Sequence, residues 1–326
     1  MTTTIDAELT DERTWRPANL EEFVGQSALK STLGLMLQSA SMRGAALEHV
    51  AFFGPPGLGK TTLAYIISNA VGGRLRELSA PAITKPGDLA AILTSLKVGD
   101  VLFLDEIHSL RREIAEMLYS AMEDFKVSIK LDQQDDVITL PVERHTLVGA
   151  TTDYGLLPEP LRARFGHIFP LDLYTQDELT QVVARAAFLS EVLIDRTSLE
   201  MIAIRGRGTP RLALRLFRRS YDLAVVRETE LSADLTAEAL EMLNVDELGL
   251  DEADRRYLRT LVTVYGGGPV GLKALATSAG LNPTTAERSI EPWLLRSGLV
   301  ARTRLGRRIT KAGMAHLSSA ELVETV

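Results

Sequence analysis

Gly54-Pro55-Pro56-Gly57-Leu58-Gly59-Lys60-Thr61-Thr62 fits the spacing G-x-x-x-x-G-K-[ST]. Such a loop surrounds polyphosphate oxygens with backbone N–H groups, sends its lysine to the outer phosphates and offers a hydroxyl to Mg²⁺. About forty-five positions later, Asp105-Glu106 ends the apolar run Val101-Leu102-Phe103-Leu104. A carboxylate there can hold Mg²⁺, usually through water, and its neighbour can orient an attacking water. Each feature alone has a plainer reading, a glycine-rich turn for the loop and a helix cap for the carboxylates. Together they favour nucleotide hydrolysis, because a plain turn requires neither Lys60 nor a helix starting beside it. Near the C-terminus, Arg302-Thr303-Arg304-Leu305-Gly306-Arg307-Arg308 gathers four arginines, as a phosphate-binding hairpin or a merely solvated one would.

The elements that must position these groups follow from pattern. Val50 to Phe53 is a buried-strand run before the loop, and the residues from Thr61 to Ile67 read as a helix whose positive dipole end faces the anion. Four apolar residues before Asp105 suit a strand covered on both faces, as in a parallel sheet, whose C-terminal ends are where open α/β sheets bind ligands. The run from Thr146 to Thr152 is a further strand ending in hydroxyls, and the segment 156–165 puts Arg162 and Arg164 on a short helix. Amphipathic spacing predicts helices over 27–43, closed by Gly44, and over 113–125. Residues 126–142 alternate in two arms around Asp132-Gln133-Gln134-Asp135-Asp136, a β-hairpin with an acidic turn.

Every long segment of 175–244 is helical, including the turn Gly208-Thr209-Pro210-Arg211 that starts a helix. Beyond about residue 248 come helices over 252–265, 270–279 and 283–297 and two short strands, the layout of a winged helix. The expected organisation is therefore an α/β nucleotide-binding domain (16–174) after a loose leader (1–15), an all-α domain (175–248) and a winged-helix domain (249–326).

At 326 residues and 45% hydrophobic, the chain has room for two or three domains and no apolar run long enough to span a membrane. It has no cysteine, which excludes disulfides and thiolate zinc sites and suits a reducing cytoplasm. The five histidines show no i, i+4 pairing, and the polar, acidic N-terminus lacks the regions of a signal peptide. A net charge of −7 argues against a generally basic nucleic-acid binder. Between Lys273 and Lys311, however, eight basic residues face only Glu287 and Glu291.

These motifs in this order resemble the RuvB family, the bacterial Holliday-junction branch-migration motors of the AAA+ ATPase class. The resemblance runs from about Arg16 to Leu317. It rests on the phosphate loop, the stretch Lys85-Pro86-Gly87-Asp88, Asp105-Glu106-Ile107-His108 and Ala121-Met122-Glu123-Asp124-Phe125. It rests further on Gly149-Ala150-Thr151-Thr152, Arg207-Gly208-Thr209-Pro210-Arg211 and Gly267-Gly268-Pro269-Val270-Gly271-Leu272.

The resemblance implies an AAA+ P-loop domain, an all-α lid and a C-terminal winged helix that bind ATP and Mg²⁺. Lys60 and Thr61 would hold phosphates and metal, with Asp105 the second position near the metal. Glu106 would polarise the hydrolytic water, Thr152 would be the polar sensor, and Arg211, after Pro210, the lid arginine. Arg164, or Arg162 beside it, would be the finger entering a neighbour's site. Arg16, Pro17, Phe23 and Val24 would lie near adenine, with Tyr174 closing the pocket. Arg302, Arg304, Arg307 and Arg308 would contact DNA.

The implied assembly is a hexameric ring on duplex DNA next to a four-way junction, with a RuvA-type junction-binding partner and a RuvC-type resolvase. Ser109 stands where the family carries arginine, Arg304 and Leu305 replace proline and arginine in the wing, and the hairpin turn is acidic where the family's is basic. These departures bear on partner recognition and individual DNA contacts rather than on the motor chemistry. A nucleotide-switched scaffold whose winged helix binds protein is the alternative, and DNA stimulation of ATP hydrolysis separates the two. A clamp-loader-like subunit shares the ATPase core but requires a different C-terminal domain.

Overall fold

The computed structural model describes residues 14–130 and 137–323. Their contacts gather into two compact units, one running to Ser190 and including Thr209–Arg211, the other holding Glu191–Gly208 and the chain from Leu212 onward.

In the first unit, α1 (Ser27–Arg43) ends on Gly44 in a left-handed conformation whose N–H reaches the Ala40 and Ser41 carbonyls. Five parallel strands form its sheet. They are β1 (Val50–Phe53), β2 (Leu75–Ser79), β3 (Val101–Asp105), β6 (Thr146–Thr151) and β7 (His167–Pro170), in the order β2-β3-β6-β1-β7. The three central strands are the continuous apolar runs of the sequence, buried along nearly their whole length because helices cover both faces. Phe53 lies in register with Thr151, and Leu104 with Gly149, so Gly54, Thr152 and Asp105 emerge side by side at one end of the sheet.

Helices α2 (Lys60–Val71), α3 (Pro86–Thr94) and α4 (Arg112–Glu123) follow their strands. Leu89, Leu93, Ile114 and Leu118 pack with Leu102, Leu104 and Leu147 of the sheet. Strands β4 (Lys126–Lys130) and β5 (Val137–Pro141) pair antiparallel as the expected hairpin, Val127 opposite Leu140. Its acidic turn lies outside the described residues. After the short α5 (Glu159–Arg162) and β7, Thr175 and Glu178 cap α6 (Gln176–Leu189) reciprocally.

One expectation changes here. Trp15, assigned to the loose leader, is only 4% exposed and donates its indole N–H to Ser190 Oγ at 2.8 Å. A buried indole needs such an acceptor, so the folded body begins before Arg16. His49, just before β1, is a structural histidine. Its Nδ1 accepts the Leu147 N–H at 2.9 Å and its Nε2 faces the Met122 carbonyl at 3.2 Å. Both bonds require the neutral ring with hydrogen on Nε2, and burial accordingly pulls its pKa down to about 4.

The second unit contains α7 (Arg196–Arg205), most of α8 (Pro210–Val226) and α9 (Ala233–Met242). Next come α10 (Glu252–Thr263), α11 (Leu272–Ser278) and the antiparallel pair β8 (Val300–Thr303) and β9 (Gly306–Ile309), then α14 (Lys311–Val323). Leu258, Leu261, Leu275, Ile290, Leu294 and Val300 form the core of this winged helix. Its third helix occupies the expected segment, helical without interruption over 283–296, but it is not regular throughout. It runs as α12 (Pro283–Thr285), a π turn over Ala286–Ile290 and α13 (Glu291–Arg296), one after the other. Pro292 explains the π turn, since it has no N–H for the carbonyl four residues back and its ring crowds that carbonyl. Among the described residues no helix is long and apolar enough to cross a membrane.

Candidate functional site

Gly59, at φ 101°, turns the chain from the loop into α2, and a Cβ there would sit 3.0 Å from the Phe23 ring. Only glycine meets both demands. No side chain caps α2, so its first-turn N–H groups remain directed at the loop, where an anion gains from them and from the helix dipole. Lys60, 8% exposed, is the first residue of that helix and donates to the Gly54 carbonyl at 2.7 Å and the Pro55 carbonyl at 2.9 Å. Burial lowers its pKa, while the charges of Asp105 and Glu106 act in the opposite direction and Arg211 reinforces the lowering. The amine thus lies within electrostatic reach of both carboxylates and the arginine.

Thr61 and Thr62, on the first turn of α2, are half-buried. Asp105 ends β3, and its Oδ1 accepts the N–H of Glu106 at 3.0 Å. Glu106 is held at φ 51°, a left-handed conformation that disfavours a side chain with a Cβ. Its Oε2 lies 3.3 Å from His108 Nδ1 and 3.5 Å from the Thr152 hydroxyl. The buried Thr151 hydroxyl meets the same His108 nitrogen at 2.8 Å. Sequence reasoning gave His108 no role, although a short helical turn two residues past a carboxylate is a signal for such a contact. Asp105 and the Thr61 hydroxyl are hard oxygen donors, which suits Mg²⁺. Among the described residues no group of three or more His, Asp and Glu side chains forms a closed metal cage.

Around the loop, Leu58 is fully buried and its carbonyl accepts the Tyr174 hydroxyl at 3.3 Å; burial raises the pKa of that phenol. Phe23 is buried, while Arg16, Pro17, Val24, Pro55 and Pro210 are half-buried and Pro56 is exposed. Arg211 donates its backbone N–H to the Gly57 carbonyl at 3.3 Å and leaves its side chain exposed beside the loop.

Arg164 lies two residues past α5. It donates to the Pro160 carbonyl at 2.7 Å, pairs with Glu123 at 2.8 Å and stacks 4.8 Å above the Tyr119 ring. Arg162 lies 5.2 Å from the Tyr154 ring. Among the described residues, neither has a hydrogen bond or ion pair with the phosphate loop of its own chain.

On the wing, Arg302, Arg304 and Arg308 are exposed, and none has an ion pair among the described residues. Arg307 corrects the expected set of DNA contacts. It is 9% exposed and turns inward, its Nε at 2.7 Å and Nη2 at 3.0 Å from the carboxylate of Glu291, itself 2% exposed. The Tyr257 hydroxyl completes this buried group on Glu291 Oε1, so Arg307 is not available to a surface phosphate. Because Glu291 is withdrawn with it, the positive excess at the surface is unchanged.

Comparisons with known proteins cover nearly all of the described residues. Family models match in three consecutive parts: "Holliday junction DNA helicase RuvB P-loop domain" over residues 15–171, "RuvB AAA lid domain" over 174–246 and "RuvB C-terminal winged helix domain" over 247–318. The "Holliday junction branch migration complex subunit RuvB" of Thermotoga maritima is 49% identical over 305 residues, covering 93% of this chain and 91% of that protein. The same-named protein of Dehalococcoides mccartyi is 46% identical, covering 97% and 90%. A solved structure titled as the Thermotoga maritima RuvB Holliday junction branch migration motor superposes with a TM-score of 0.84 at 48% identity, covering 94% of this chain and 98% of that one.

Proposed function

Because this chain belongs to the RuvB family, the ATPase motors that drive Holliday-junction branch migration, we propose that it hydrolyses ATP at a site shared between subunits of a ring and spends each turnover moving duplex DNA. The observation that carries this reading is the convergence of Lys60, Thr61, Asp105, Glu106 and Thr152 at one end of the sheet, with the Arg211 backbone on the loop.

The chemistry follows from these groups. The α2 amides and Lys60 hold the phosphates, and Thr61 with Asp105 supplies the ligands for Mg²⁺, which when bound neutralises phosphate charge. Glu106 orients a water for in-line attack on the γ-phosphate, and Thr152 fixes the carboxylate and senses that phosphate. Arg211 reads the γ-phosphate from the same chain. Arg164 stabilises the transferring phosphoryl group from the next subunit, a contribution of roughly 10³–10⁵ in rate. Arg162 is the second candidate. Phe23, Val24, Arg16, Pro17 and Tyr174 enclose the base.

A finger acting in trans makes a closed ring the working form, and a hexamer is the size proposed. Arg302, Arg304 and Arg308 hold the DNA backbone, so contact is independent of sequence. The ring works in the cytoplasm beside a RuvA-type junction-binding protein and a RuvC-type resolvase. The test combines the protein, a four-way junction and a RuvA-type partner and scores ATP-dependent strand movement. ATP hydrolysis that duplex DNA fails to stimulate overturns the reading.

A further inference from the structure

Leu305 stands at the tip of the β8–β9 hairpin, 80% exposed, in the two-residue turn that joins Thr303 to Gly306. Several contacts hold it there. The Thr303 hydroxyl donates to the Gly306 carbonyl at 2.8 Å and accepts the Leu305 N–H at 3.3 Å. Gly306, at φ 132°, lies against the Val270 backbone so closely that a Cβ would meet the Val270 carbonyl at 2.3 Å. Next to it, Arg307 is fixed inward by Glu291. The turn is therefore built before any partner arrives, and it presents an isobutyl group to water with exposed Arg304 beside it and Arg302 and Arg308 on the flanking strands.

We propose that the wing tip enters the minor groove of duplex DNA, where Leu305 lies against the deoxyribose walls while Arg302, Arg304 and Arg308 take the phosphates on either side. The proposal rests on the reading of the wing as the DNA contact and goes beyond it by naming a groove and an apolar contact. Charge complementarity selects the occupant, since three exposed guanidinium groups with no ion pair among the described residues, set around one apolar tip, match a groove with sugar walls and phosphate rims. Proteins that bind this groove combine arginines with inserted apolar side chains. A contact to sugar also suits a motor, because every nucleotide offers the same face. A rigid tip loses little conformational entropy on docking.

The experiment measures binding of the full-length protein to a short linear duplex as salt is varied. Leu305→Ala is expected to weaken binding about five- to tenfold while leaving the salt slope unchanged, since it removes apolar contact and no charge. Leu305→Met should restore most of the loss. Arg302→Ala, Arg304→Ala and Arg308→Ala are each expected to reduce the slope of log K against log salt by about 0.9. Netropsin, which fills the minor groove, should compete, and methyl green, which fills the major groove, should not. Unchanged binding by Leu305→Ala, or competition by methyl green alone, overturns the proposal. If the arginine variants keep their slopes, the reading of the wing as the DNA contact falls as well. If they lose slope and only Leu305→Ala is silent, that reading stands and the minor-groove contact alone is refuted.

Discussion

Arg307→Met tests the inward turn of the wing arginine. The carboxylate of Glu291 accepts from Arg307 Nε at 2.7 Å, from Nη2 at 3.0 Å and from the Tyr257 hydroxyl, at a site where Glu291 and Tyr257 have essentially no exposure. Removing the guanidinium leaves a buried charge with one hydroxyl, which costs about 3–5 kcal/mol. In a winged-helix body of this size, each kcal/mol corresponds to roughly 4–8 °C of melting temperature. Glu291→Met alone strands the cation and has a similar cost. The combination Glu291→Met with Arg307→Met removes both charges into a space suited to apolar side chains, leaving only the Tyr257 hydroxyl unpaired at about 1–3 kcal/mol. The double-mutant cycle should therefore show a favourable coupling of about 3 kcal/mol or more, read by thermal melts of the full chain and hydrogen exchange across residues 251–318. The double variant should also keep the parent's salt dependence on DNA. Destabilisation equal to the sum of the singles refutes the buried pair. A slope reduced by about 0.9 in the double variant returns Arg307 to the phosphate-contacting set.

Glu106→Gln keeps the shape of the site while removing the charge that orients water, so nucleotide binding should persist and turnover should fall about 10²–10⁴-fold; near-normal hydrolysis contradicts the role. Arg164→Ala should lower kcat about 10³–10⁵-fold. Its pair with the exposed Glu123, its bond to the Pro160 carbonyl and its contact with the Tyr119 ring together predict about 1–3 kcal/mol of lost stability, so a larger drop would recast Arg164 as structural. For His49, folding holds the pKa at about 4 against an ordinary value of 6.5. Above the ordinary value both states are neutral and the contribution is fully present. As the pH falls, the unfolded chain binds a proton that the folded chain refuses, and up to about 3 kcal/mol is lost by the time the folded pKa is reached. Denaturation midpoints down that pH range should fall with it, and an NMR titration of the His49 ring near its ordinary value would show the reasoning wrong.

The sheet was legible because its central strands are unbroken apolar runs, and β1 and the α1 boundaries coincide with their patterns in sequence. The phosphate loop was legible because its chemistry is local. What escaped notice depends on residues far apart in the chain. Arg307 and Arg308 are neighbours on one strand and must point to opposite faces, so alternation already required one of them to turn away from the other's surface. That the inward one is Arg307 depends on Glu291, sixteen positions back on another element. Counting charges along the wing treated both as surface groups. The left-handed backbone of Glu106 and the approach of His108 were hidden for a similar reason, since they arise from how β3 and β6 terminate side by side. Trp15 was assigned to the leader because its acceptor, Ser190, lies at the far end of α6.

The π turn before Pro292 acts as a phase shifter. One extra residue in a helix rotates everything on its N-terminal side by about 100° relative to a regular α-helix. The segment with Thr284, Thr285 and Arg288 is therefore clocked independently of the segment that aims Glu291 at Arg307. Deleting Ser289 would restore a regular helix while leaving Arg288, Ile290 and Glu291 in the chain. It would then force a choice: either Glu291 stays with the wing and the preceding face swings away, or that face is kept and the wing loses its buried anchor.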